Sequence, residues 1–191
     1  MKTNQKIISV FTLGILWGVA EILIGDLIET FSLPVRGIIL TIVSVFFIIT
    51  TKRIAEFRGS ILLLGLIVVI LKAVYYQNFL HSALLAVIIL VVLAELIYIF
   101  VSDFKKASIT VSTILLIYTF AHGIIMHNFF YGRNIFTIYE NLVYGSWGIN
   151  ISIELILILF FIINLLIGVV AGYVFSRISS KIREFSVLFF E

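Results

Sequence analysis

Six apolar runs, each about as long as a bilayer is thick, decide what this chain can fold into. They are Ile7–Ile28, Leu33–Thr51, Ser60–Tyr76, Ser82–Val101, Ile109–Met126 and Ile149–Phe175. A helix needs roughly 17 to 25 apolar residues to cross about 30 Å of hydrocarbon. Lipid offers no partner for a backbone N–H or C=O, so an open sheet is ruled out and the runs are read as helices. Composition agrees: 62% of residues are hydrophobic, 12% are charged, and the mean hydropathy is +1.25. A soluble domain is about 45–50% apolar and about 25% charged, and one of this size has no interior large enough for the excess. The expected fold class is an all-α integral membrane protein, one domain over residues 1–191, built as a bundle of six transmembrane helices.

The basic residues give that bundle a direction. Lys2 and Lys6 precede the first run, Lys52, Arg53 and Arg58 follow the second, Lys105 and Lys106 the fourth, and Arg177, Lys181 and Arg183 the sixth. The opposite connections hold only Arg36 and Arg133, while Lys72 lies inside the third run. This asymmetry predicts a multi-pass protein of the cell membrane with both termini cytoplasmic. Lys2, Lys6 and the "GVA" before Glu21 also imitate a secretory signal. The run continues apolar past Glu21, however, and six spans fit the charge bias, so it is read as a helix that stays. The absence of cysteine excludes disulfides, thiolate nucleophiles and iron–sulfur clusters. With a net charge of +3 and no basic tract, no nucleic-acid partner is expected, and no metal or cofactor either.

Within the spans, several polar residues fall at one depth. Counting about 1.5 Å per residue from the inner face puts Glu21 of the first helix and His122 of the fifth in the outer half. Lys72 lies near the outer end of the third helix, Asp26 near that of the first, and Asn150 and Glu154 begin the sixth. Ionisable groups in a membrane usually face a bundle interior or a watery cavity and mark a site. A cavity lined by carboxylates and aromatic faces suits a small cationic or heteroaromatic ligand. Each residue has a plainer role as well. Lys72 can snorkel or pair with Glu21, Asp26 and Glu29 can sit at the water boundary, and His122 can be an interhelical donor. Asn150 can cap the sixth helix, and Glu154 can answer its dipole. Glu95, in the inner part of the fourth helix, has no evident role. Residues 127–147, rich in Phe, Tyr, Asn and Gly, form either a lid or an interfacial segment. Ser32 and Pro34 are expected to start the second helix, as cap and first-turn residue.

Gly14 and Gly18 place two small residues four apart on the first helix, and Gly168 and Gly172 repeat the spacing in the sixth. With six spans, internal termini and an outer polar layer, the chain resembles the substrate-capture (S) component of energy-coupling factor (ECF) vitamin transporters. The strings "LWGVAEILIGDL", "LPVRG" and "RGSILLLG" and Lys72 resemble membrane proteins grouped with that family. The resemblance implies an outer pocket closed by loops, holding a vitamin or precursor. Glu21, His122, Trp147, Asn150 and Glu154 supply a mix of acid, His, Asn and aromatic groups like that of thiamine-type members. It also implies docking through Gly14 and Gly18 onto a transmembrane coupling subunit driven by cytoplasmic ATPases. The chain itself has no G-x-x-x-x-G-K-[ST] phosphate loop. It departs from the family in having Gly-x-x-x-Gly for Ala-x-x-x-Ala, and its start, "MKTNQK", lacks the histidine of the cobalt and nickel members. The alternatives are a non-catalytic membrane scaffold or assembly protein and a stand-alone secondary transporter. An intramembrane enzyme is disfavoured: no Gly-x-Ser-Gly, Glu-Glu-Arg or His-Glu-x-x-His pattern is present.

Overall fold

The computed structural model describes residues 2–30, 36–77, 82–129, 144 and 152–190. Among these the chain is all-helical: α1 Thr3–Thr30, α2 Arg36–Ala55, α3 Ser60–Tyr76, α4 Ser82–Phe100, α5 Phe104–Phe129 and α6 Ile153–Phe190. Five of the six are long and apolar enough to cross a membrane; α3 is also apolar but has 17 residues. Ser32, Pro34, Trp147 and Asn150, and most of 127–147, lie outside the described residues.

The helix bounds follow the apolar runs in the middle of the chain and depart from them at its ends. The third run and α3 coincide, and the fourth differs by one residue. The expected last helix, Ile149–Phe175, is instead Ile153–Phe190, which at a rise of about 1.5 Å per residue is far longer than a bilayer core is thick. Hydropathy marks where a chain leaves lipid, whereas a helix ends where its hydrogen bonding ends. Past Phe175 the sequence becomes amphipathic, with Ser176 and Ser179 buried and Arg177 and Lys181 exposed, so the helix continues along the bundle. For the same reason α1 begins before its apolar run and α5 before the fifth.

In the interior, α2 packs against α1, α3, α5 and α6. The core collects Trp17, Val45, Ile48, Ile49, Leu64, Val68, Val91 and Leu115. Outward faces are just as apolar: Leu23, Leu27, Val74, Phe100, Leu155 and Val170 are all exposed. A water-soluble bundle would carry charge there; here the pattern is that of helices meant for lipid.

Glycine lets α5 and α6 bring their backbones close together. A methyl group built on Gly168 would stand 2.6 Å from the Thr113 Cα, and one on Gly172 2.6 Å from the Ile109 Cα. Any larger residue would push the α5 and α6 backbones apart. Both ends of the bundle's path meet at Glu56, between α2 and α3. Its carboxylate takes the Arg183 guanidinium at 2.7 Å and the Lys6 ammonium at 3.7 Å. The start of α1, the α2–α3 connection and the far part of α6 therefore share one end of the molecule.

Candidate functional site

At mid-bundle, toward the end away from Glu56, the apolar interior is interrupted by a carboxylate. Glu21 of α1 is 3% exposed. It accepts hydrogen bonds from the Trp17 indole at 2.9 Å, the Ser44 hydroxyl of α2 at 2.7 Å and the Lys72 ammonium of α3. Lys72 is equally buried. An isolated buried charge is prohibitive, but a pair whose lone pairs are taken by further donors is tolerated. Trp17 reaches Glu21 because residues four apart stack along one helix face.

The α1–α3 contact explains how the pair meets. The two helices run parallel, and the sites where methyl groups on Gly14 and Gly18 would sit lie against Ile67 and Leu71. One turn further along, Glu21 faces Lys72, and beyond it the Tyr75 hydroxyl donates to Asp26 at 2.6 Å. The two glycines thus let α3 close on α1, and the ion pair sits at the end of that zipper. The small-residue face expected to dock a partner is occupied by α3 within the chain.

Two further polar contacts belong to the same half of the bundle. Thr41, one turn before Ser44 on α2, shares a hydrogen bond of 2.6 Å with Thr119 of α5. Tyr118 and His122, one turn apart on α5, are joined between hydroxyl and Nδ1 at 3.1 Å with their rings tilted across each other. Of the expected site residues, then, Glu21 and Lys72 are brought into direct contact, with Asp26 close by on the same helix pair. His122 stands beside Thr119 on α5. Glu154 is exposed in the first turn of α6, where Ile153, Ile156, Leu157 and Phe160 pack with Ile124. Trp147 and Asn150 lie outside the described residues.

Sequence reasoning did not count Trp17, Thr41, Ser44, Tyr75, Tyr118 and Thr119 among the site residues, because their side chains carry no charge and are ordinary in an apolar helix. Their one signal is position: Trp17 lies four residues before Glu21, and Tyr75 three after Lys72. It also left Glu95 without a role. Glu95 is 3% exposed and accepts from the backbone N–H of Gly59 at 2.9 Å and of Ile61 at 3.1 Å, and from Lys52 Nζ at 2.8 Å. The α3 N-terminus has no side-chain cap of its own and no acidic residue in its first turn. Glu95, reaching across from α4, supplies the negative charge those free N–H groups favour. Gly59, at φ +86°, gives the turn that turns its N–H toward Glu95.

No cluster of three or more His, Cys, Asp or Glu side chains suited to a metal ion occurs among the described residues. Compared with known proteins, the chain matches no family model, no curated protein and no solved structure.

Proposed function

We propose that this chain is the membrane-embedded substrate-capture component of an ECF-type uptake transporter, crossing the membrane six times with both termini in the cytoplasm. The observation that carries the reading is the polar layer drawn from α1, α2, α3 and α5 in the half of the bundle away from Glu56. Charged groups are costly in hydrocarbon, and ionisable residues kept there usually face a bundle interior or a watery cavity and mark a site. Glu21 and Lys72 form its floor. Asp26 and His122, nearer the outer surface, are the contacts for a small cationic or heteroaromatic vitamin or precursor, and the sequence adds Trp147, Asn150 and Glu154 as candidates. Lacking a phosphate loop, the chain takes its energy from separate ATPases through a coupling subunit. Docking through Gly14 and Gly18 then requires Ile67 and Leu71 of α3 to vacate that face.

One observation favours a ligand-free scaffold as the second reading: Glu21 already has three donors and needs no ligand to stay buried. A thermal-shift panel of cationic and heteroaromatic vitamins and precursors, run on the purified protein, separates the two. A ligand at 100 times its Kd adds about 2.7 kcal/mol to the native state, a clear rise in melting temperature. At least one compound is expected to raise it, and Asp26→Asn or His122→Ala to abolish the rise while leaving unliganded stability intact. A flat panel favours the scaffold.

A further inference from the structure

The end of the bundle at Glu56 holds a second constellation that the capture reading does not use. A cavity of about 490 Å³ opens between α2, the start of α5 and the far part of α6, lined by Arg53, Lys105, Arg177 and Lys181 together with Asp103, Ser176 and Ser180. Four cations from three elements thus face one carboxylate. That carboxylate is engaged already, because Asp103 accepts the Lys106 backbone N–H at 2.7 Å as it caps α5. The carboxylate of the adjoining smaller cavity, Glu56, is held by Arg183 and Lys6.

Three of the four cations lie against aromatic faces. The Arg53 guanidinium lies 4.7 Å from the Phe104 ring centroid, and the Lys105 ammonium and Arg177 guanidinium each lie 4.7 Å from that of Tyr173. Lys105 of α5 and Arg177 of α6 share the Tyr173 ring, so two helices each bring a cation to this wall of the cavity. The Arg53 Nε is buried and has no hydrogen-bond partner. A buried donor left unsatisfied costs about 1–3 kcal/mol, and an incoming acceptor removes that cost.

We infer that this cavity binds the phosphate of an anionic lipid headgroup. The lipid source, rather than free phosphate, is favoured by the stripe that leads out of it along α6. Lys181, Arg177, Val174 and Val170 follow one another at helical spacing, and Val170, Val174 and Ile178 are all exposed. The basic end of that stripe takes the headgroup, and the apolar end takes an acyl chain. Basic pockets between membrane helices on the cytoplasmic side bind anionic headgroups by this chemistry. The inference needs only that the helices lie in a membrane and is independent of any vitamin site.

Native mass spectrometry of the full chain, released from nanodiscs of phosphatidylcholine doped with phosphatidylglycerol, tests it. Wild-type protein is expected to retain phosphatidylglycerol in preference to phosphatidylcholine. The exposed-residue double variant R177Q/K181Q is expected to lose roughly an order of magnitude of that preference, and R53K, which keeps the charge, to lose less. Melting curves of both variants check that they are folded. Equal retention of the two lipids, or a preference untouched by R177Q/K181Q, overturns the site. Stabilisation by inorganic phosphate without lipid preference overturns the lipid assignment and leaves a soluble phosphate as the ligand.

Discussion

A glutamate and a lysine buried against each other set the energetics at the scale of the residue. Glu21 and Lys72 are each 3% exposed, and neither can be removed alone without stranding the other. Breaking a buried pair by losing one partner costs about 3–5 kcal/mol, whereas replacing both with apolar groups is often neutral. Glu21→Leu and Lys72→Met are therefore each expected to lower stability strongly, and the double variant to recover most of the loss. Denaturation of all four proteins in mild detergent reads the coupling directly. Equal and additive losses would mean that the pair is not formed. The sequence made Glu21 conspicuous because a charge in an apolar run is rare. It could not show whether Lys72 reached the surface or turned inward, since snorkelling and pairing use the same side chain. Glu95 was illegible for a related reason: its partners are backbone N–H groups of another helix, and backbone groups carry no signature in sequence.

The helices differ in how their glycines are used. Gly14 of α1 meets Ile67 at 3.0 Å, a contact relieved by a shift of a few tenths of an ångström, and Gly18 meets the Cδ1 end of Leu71, which can move aside. Gly168 and Gly172 of α6 meet the α5 backbone, which cannot. Gly168→Ala and Gly172→Ala are expected to cost about 1–3 kcal/mol each through overpacking, and Gly14→Ala and Gly18→Ala distinctly less. Melting temperatures of the four single variants check the ranking; parity between the two pairs would contradict it. Both G-x-x-x-G motifs look alike in sequence, because spacing reports which residues share a helix face and not what lies opposite. Helix positions, in contrast, were legible, since lipid leaves a long uninterrupted apolar signal. Helix ends were not: α6 runs on through Arg177, Lys181 and Arg183, where hydropathy falls but hydrogen bonding and an amphipathic face persist.

For the molecule as a whole, the meeting of Lys6, Glu56 and Arg183 brings both ends of the bundle's path to one pole, and the basic residues gathered there are the reason that pole is proposed to face the cytoplasm. The natural lack of cysteine allows a clean test. Lys2→Cys and Ser102→Cys are expected to resist a membrane-impermeant maleimide applied to intact cells and to react after lysis. Gln77→Cys, at the far end of α3, is expected to react from outside. The reverse pattern would invert the topology. The all-helical architecture was readable from the apolar runs alone, whereas the polar layer was readable only in its charged members. The proposed function joins capture of a small molecule to energy supplied by separate ATPases. Native mass spectrometry of the protein taken from its own membranes in mild detergent tests this most directly. The expected spectrum shows a small non-lipid molecule that leaves on unfolding, and a heavier species containing a coupling subunit with ATPases. A spectrum of the chain with lipids only, and no such assembly, would contradict it.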